Sequence, residues 1–131
     1  MKTLRLVLGD QLSRDLPSLT DLDPDKDLVL MAEVMSEVTY VKHHKRKIAY
    51  LFSAMRHFAK SLGDDDIAVR YRRLDDADNA GSLAGEVAAA IAAFGPDRIV
   101  ITAPGEYRLA DEMAGWQARF GLAVDIRADT R

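Results

Sequence analysis

The side chains best suited to chemistry fall in four short runs, and the first is Gly9-Asp10-Gln11-Leu12. Glycine permits a tight turn there, while Asp10 offers an anionic acceptor and Gln11 an amide that both donates and accepts. Such a turn can hold a polar ring edge or a chain of hydroxyls. It can equally be a plain turn in which Asp10 or Ser13 caps the segment that follows. The pattern is neither a Walker loop nor GxGxxG, which counts against triphosphates and dinucleotides.

The second run, Glu33 to Tyr40, brings two carboxylates (Glu33 and Glu37), the Met35 thioether and the Tyr40 phenol within eight residues. A planar heteroaromatic ligand could use all of these, whereas the plainer alternative makes Met35 core filler and Glu37 a solvent-facing loop residue. The third run, Thr102 to Leu109, is a turn leading into a helix start, where Glu106 either caps the helix or faces the same crevice. No Ser-His-Asp order, paired-carboxylate spacing or nucleophile elbow stands out.

The fourth run is Lys42-His43-His44-Lys45-Arg46-Lys47, a block of positive charge at the start of a helix, where it opposes the helix dipole. It is either a solvated face or a contact for an anionic partner, with Lys45, Arg46 and Lys47 the candidates for DNA phosphates. Two adjacent histidines do not point together on a helix, so no metal site is expected.

These runs need elements to position them, and hydropathy supplies the outline. Lys2–Leu8 and Asp27–Glu33 read as buried strands. Ile48, Leu51, Phe52, Met55, Phe58 and Leu62 mark an amphipathic helix that Gly63 is expected to end. Ile67, Val69 and Tyr71 alternate with polar residues, as in a strand at a sheet edge. Ser82 caps a helix striped by Leu83, Val87, Ile91 and Phe94, which Gly95-Pro96 stops before a strand at Arg98–Thr102. A single helix is expected over Glu106–Phe120, closed by Gly121, before a last strand at Ala123–Ile126. The acidic stretches 64–66 and 75–79 read as solvated loops. Strands alternating with helices imply an α/β, Rossmann-like open sheet of five parallel strands in the order 3-2-1-4-5, with helices on both faces. Ligands of such sheets bind beyond the carboxyl ends of the strands, at the switch point where strand order reverses.

Composition narrows the class further. At 131 residues and 48% hydrophobic, the chain is sized for one domain, residues 1–131. A net charge of −3 disfavours a free-standing nucleic-acid binder, so any DNA contact must come from a local patch. The absence of cysteine rules out disulfides, Cys-ligated zinc and iron–sulfur clusters within these residues. The Leu4–Leu8 run is too short for a signal-peptide core or membrane span, which makes the cytoplasm the expected compartment.

Taken in order, Gly9-Asp10-Gln11-Leu12, Met31-Ala32-Glu33-Val34 with Glu37 and Tyr40, His43-His44-Lys45-Arg46-Lys47-Ile48, and Pro104-Gly105-Glu106-Tyr107-Arg108 resemble the amino-terminal domain of the deoxyribodipyrimidine photolyase-related proteins. That group is the bacterial iron–sulfur cryptochrome and (6-4) photolyase branch of the photolyase family. The resemblance implies a domain excised from a longer flavoprotein whose remainder is a helical domain with FAD and a 4Fe-4S cluster, repairing DNA photoproducts by light-driven electron transfer. It implies that the amino-terminal domain holds an antenna chromophore, 6,7-dimethyl-8-ribityllumazine, which passes excitation to FAD and needs no catalytic residue here. Glu37 is then the expected carboxylate on the lumazine ring or ribityl chain, with Gly9, Asp10 and Gln11 approaching from the first turn. Glu33, Met35, Tyr40, Ile48 and Glu106 are candidates for the remaining wall. Two other readings stand beside it: an interaction domain that buttresses the helical domain and touches DNA through Lys45–Lys47, and a small nucleotide-binding enzyme using the same crevice.

Overall fold

The structure, a computed structural model, describes residues 1–35 and 45–130, apart from the side chains of Lys45 and Arg46. Glu37, Tyr40 and the Lys42–His44 part of the basic run lie outside the described residues. Five strands, β1 (Thr3–Leu6), β2 (Leu28–Ala32), β3 (Val69–Arg72), β4 (Arg98–Thr102) and β5 (Ala123–Arg127), form one sheet in the order β3-β2-β1-β4-β5. Every pairing is parallel, as the alternation with helices requires. The helices are α1 (Lys45–Asp64), α2 (Leu83–Phe94), α3 (Tyr107–Ala114) and α4 (Trp116–Phe120).

Side-chain alternation along the strands splits the core into two layers. Leu4, Leu6, Leu30, Ile99 and Ile101 pack beneath α2, α3 and α4. Val7, Val29 and Met31 face the other way, against Met55 and Leu62 of α1 and Leu16 of the segment before β2. That segment stands where a helix would, as a series of tight turns: Leu16 N–H bonds Ser13 C=O (3.2 Å), Leu19 bonds Leu16 (2.8 Å) and Leu22 bonds Leu19 (3.3 Å). Residues three apart eclipse one another in such turns, so Leu16, Leu19 and Leu22 all meet the sheet. No helix among the described residues is long and apolar enough to cross a membrane.

Two helix boundaries depart from the hydropathy reading. Gly63 does not end α1, which continues to Asp64; Asp66 takes the left-handed conformation (φ 63°) instead. Ile67 N–H bonds Leu62 C=O (3.1 Å) and Asp66 N–H bonds Gly63 C=O (3.0 Å), the paired bonds of a Schellman cap, with Ile67 and Leu62 in apolar company. The helix expected over Glu106–Phe120 is broken at Gly115 (φ −91°, ψ −4°), whose N–H tightens back onto Glu112 C=O at 3.1 Å. Leu109, Met113 and Trp116 are nevertheless buried in one cluster, as their spacing of four and three residues leads one to expect. Ser82 and Gly95 cap α2 as expected, through a bond from Gly85 N–H to Ser82 and a left-handed Gly95. The 75–79 stretch is not simply solvated: Asp78 bonds Arg72 (2.6 Å) and Asn79 bonds Glu33 C=O (2.8 Å).

Among the apolar residues of β1 sits Arg5, 1% exposed. A buried guanidinium must have its donors satisfied. Its Nε bonds Asp27 Oδ2 (2.9 Å), Nη1 bonds Ser18 C=O (3.1 Å) and Asp21 Oδ1 (2.5 Å), and Nη2 bonds Asp21 C=O (3.2 Å). Asp27 also accepts from Thr3 and Asp23 N–H, and Asp21 accepts two bonds from Arg127 of β5. Arg127's hydrogen bond, joined by Arg5, outweighs burial and holds the Asp21 carboxyl well below the usual carboxylate range. Asp27→Ala should cost about 3 kcal/mol in denaturant melts, because it strips a buried charge of its most enclosed partner; Arg5→Met with Asp27→Leu should recover much of that loss. A cost for Asp27→Ala below about 1 kcal/mol would contradict this account.

Candidate functional site at the carboxyl ends of the strands

Strand order reverses between β1 and β4, and the turn 9–12 leaves β1 at that point. Gln11 is buried and spans the gap: its Oε1 accepts from Leu8 N–H (3.3 Å) and its Nε2 donates to Thr102 C=O (3.1 Å) and Ala103 C=O (3.4 Å). The amide therefore fastens the exits of β1 and β4 together. Asp10 beside it is exposed. Ser13 accepts from Asp15 N–H (3.2 Å), so the local turn bond comes from Ser13.

Gly9 is needed for a reason other than the tight turn its type suggests. Its φ is not left-handed; instead a Cβ there would lie 3.1 Å from Met55 Sδ and 3.4 Å from Leu51 Cδ1. The β1 exit and α1 thus meet so closely that a Cβ here would oblige Met55 to give way by a few tenths of an ångström. Ile48 lies one turn before Leu51, so Ile48, Leu51 and Met55 make an apolar stripe of α1 at the crevice. Leu51 and Met55 were legible only as core residues; their i+3 and i+7 spacing from Ile48 was the available signal.

The other candidates point elsewhere. Glu33, 0% exposed, is directed towards β3 rather than β1. Its Oε1 accepts from Arg56 Nη2 (2.8 Å) and Leu74 N–H (3.1 Å), while Oε2 accepts from Arg56 Nε (2.7 Å) and the Tyr71 hydroxyl. Four donors fill the acceptor sites of a carboxylate. Glu106 caps α3, accepting from Arg108 N–H (2.9 Å) and Leu109 N–H (3.0 Å). Met35 is 49% exposed at the end of β2, Ile48 is half-buried and Lys47 is exposed. Around the same end of the sheet, Tyr50 and Tyr107 are 78% and 83% exposed, two rim aromatics the sequence reading did not single out as a pair.

Burial pushes the Glu33 carboxyl up, but the hydrogen bonds from Arg56, Tyr71 and Leu74 and the Arg56 charge more than offset it, holding it below its ordinary 4.5. Burial, reinforced by Glu33, pushes the Tyr71 phenol above its ordinary 10.0.

Two predictions follow from this geometry. Gly9→Ala should destabilise by about 1–2 kcal/mol, and Met55→Ala in the same chain should relieve part of that loss, measured by thermal unfolding. Additive losses in the pair would show that no clash exists. Because the folded Glu33 value lies below the unfolded one, the clamp contributes stability above about pH 4.5 and loses it as pH falls through the folded value. Glu33→Gln should therefore lower stability at neutral pH and reduce the slope of stability against pH on the acid side; an unchanged slope would place the acid sensitivity elsewhere.

Comparison with known proteins places the chain in a family. The family model described as deoxyribodipyrimidine photo-lyase-related protein matches residues 5–131. The chain is 53% identical to a (6-4) photolyase of Agrobacterium fabrum over 131 residues, which is all of this chain and 26% of that protein. It therefore spans about a quarter of the length of this relative. With a family match over nearly its whole length, the chain belongs to the deoxyribodipyrimidine photo-lyase-related proteins.

Proposed function

We propose that this chain is the antenna-chromophore-binding domain of a photolyase-type DNA repair flavoprotein and binds 6,7-dimethyl-8-ribityllumazine at the β1–β4 switch point. The observation that supports the reading is the turn at the switch point between β1 and β4, where Asp10 is exposed beside Gln11, which ties the two strand exits together. A flat ring suits apolar side chains with free surface such as Met35 and Ile48, and a ribityl chain suits the exposed acceptor of Asp10. Gly9, Asp10, Met35 and Ile48 would make the direct contacts, joined by Glu37 and Tyr40 on the strength of the family resemblance. Gln11, Glu33 and Glu106 serve the site by holding its walls, since their polar atoms are engaged within the protein. When bound, the chromophore absorbs light and transfers excitation to a flavin. The longer protein would carry that flavin as FAD, with a 4Fe-4S cluster and the DNA contacts, in a helical domain beyond these residues, and would work in the cytoplasm.

Titrating the chain with the lumazine should quench or shift its fluorescence to saturation. Asp10→Ala with Ile48→Ala should weaken the change while Lys47→Ala leaves it intact. A spectrum unaltered at high protein concentration would sink the reading. Salt-dependent DNA binding lost on neutralising Lys45, Arg46 and Lys47 would favour the interaction-domain alternative.

A further inference from the structure

The sheet divides at the carboxyl ends of its central strands. Lower down, β1 and β4 are paired as far as Leu6 opposite Ile101. Beyond that rung β1 stays with β2, Val7 N–H bonding Leu30 C=O (3.0 Å), and β4 stays with β5, Ala103 N–H bonding Arg127 C=O (2.7 Å). Two halves, β3-β2-β1 and β4-β5, therefore part along one line.

In a parallel ladder alternate residues turn their N–H groups to the same neighbour. Val7 faces β2, so Leu8 faces β4, and the register carried on from Leu6 and Ile101 would bring Leu8 N–H to Thr102 C=O. The side-chain amide of Gln11 stands in that rung instead. Leu8 N–H donates to its Oε1 (3.3 Å), and its Nε2 donates to Thr102 C=O (3.1 Å) and Ala103 C=O (3.4 Å). One hydrogen bond has become two with an amide between them, which holds the strand exits apart.

The local turn delivers the amide to this place. Gln11 N–H bonds Leu8 C=O (3.0 Å) and Ser13 N–H bonds Gln11 C=O (2.9 Å), so the side chain is folded back on the strand it has just left. The position calls for an acceptor and a donor on one planar group, as a peptide unit has, and a primary amide supplies both. Neither other wall residue spans the division: Glu33 ties β2 to α1 and β3, and Glu106 bonds within its own turn.

From this geometry we infer that Gln11 is a positioning residue, a spacer whose amide sets the width of the division between β1 and β4 on which the Asp10 turn opens. Gln11 leaves the ligand untouched and acts by fixing the separation of that turn from the loop after β4. The occupant, a flat heteroaromatic ring, is that of the chromophore reading above, on which this role rests. A side chain without the amide would let Leu8 N–H close directly on Thr102 C=O and narrow the crevice.

Gln11→Glu tests the donor separately from bulk, since it keeps the shape of glutamine but donates only when protonated. The protonated carboxyl can accept from Leu8 N–H and donate to Thr102 C=O, whereas the ionised one turns its charge on two carbonyls. Lumazine affinity is read by fluorescence titration as a ratio to the unaltered chain at the same pH, which cancels the titration of Asp10, other carboxylates and the ligand. The variant should bind about tenfold more weakly at about pH 8 and within about twofold of the unaltered chain at about pH 5. Gln11→Met, without a donor at any pH, should be weakened at both. In the absence of ligand, the Leu8 amide of Gln11→Glu should lose hydrogen-exchange protection relative to Leu6 at the higher pH and regain it at the lower. Equal weakening of Gln11→Glu at both pH values, unchanged affinity of either variant, or Leu8 protection that persists at the higher pH would each overturn the spacer. Failure of the unaltered chain to bind the lumazine, with Leu8 still losing protection in the variant, would sink the chromophore reading and leave the spacer standing.

Discussion

A guanidinium enclosed beneath the central strand governs the arrangement of the rest. Arg5 sits where β1 is flanked on both sides by other strands, and bringing its charge out of water costs several kcal/mol unless its donors are met. Asp27 meets it from the approach to β2, and Asp21 and Ser18 from the turn-rich segment that covers this face. Asp21 is in turn held by Arg127 at the end of β5. One buried cation thus joins the second strand, the covering segment and the far edge strand. This explains why a series of turns, without a helix of its own, can close that side of the sheet.

The same economy recurs at the strand exits. Gln11 fastens β1 to β4, Glu33 fastens the end of β2 to α1 and β3, and Glu86 joins α2 to Arg72 (3.1 Å) and to Ala80 N–H (2.7 Å). Each is a long polar side chain withdrawn from water and satisfied by groups from neighbouring elements, so each acts as a cross-brace. What stays accessible at this end of the sheet, among the described residues, includes half-buried Ile48 and the exposed Asp10, Met35, Tyr50 and Tyr107.

The two sides of α1 contrast for a similar reason. Towards β1 its Leu51 and Met55 side chains press against the Gly9 backbone, whereas towards β3 its Ala59 and Gly63 leave a groove over Ile67, Val69 and Tyr71. One helix therefore closes one surface and opens another, according to the size of the side chains on each stripe.

Hydropathy alone determined the order of elements and, through the need for crossovers, the parallel run of the strands, because burial repeats every two residues in strands and every three or four in helices; the expected order 3-2-1-4-5 is one of several such crossovers permit, and the strand pairings decide it. It also placed Ser82 and Gly95 at the ends of α2, since capping is a local matter. Local type did not decide between Gly63 and Asp66 as the end of α1, nor reveal the break at Gly115, because both depend on which neighbours satisfy the last carbonyls. The polar residues were the least legible. Arg5 in an apolar strand was itself a signal that a partner must exist, but the partners lie 13 to 22 residues away. Glu33, Gln11 and Glu106 have the composition of ligand contacts, and only the tertiary structure shows their oxygens and nitrogens engaged by the protein. Whether a polar side chain braces or binds depends on which donors the fold brings within 3 Å of it, and that distance is not written in its neighbours along the chain.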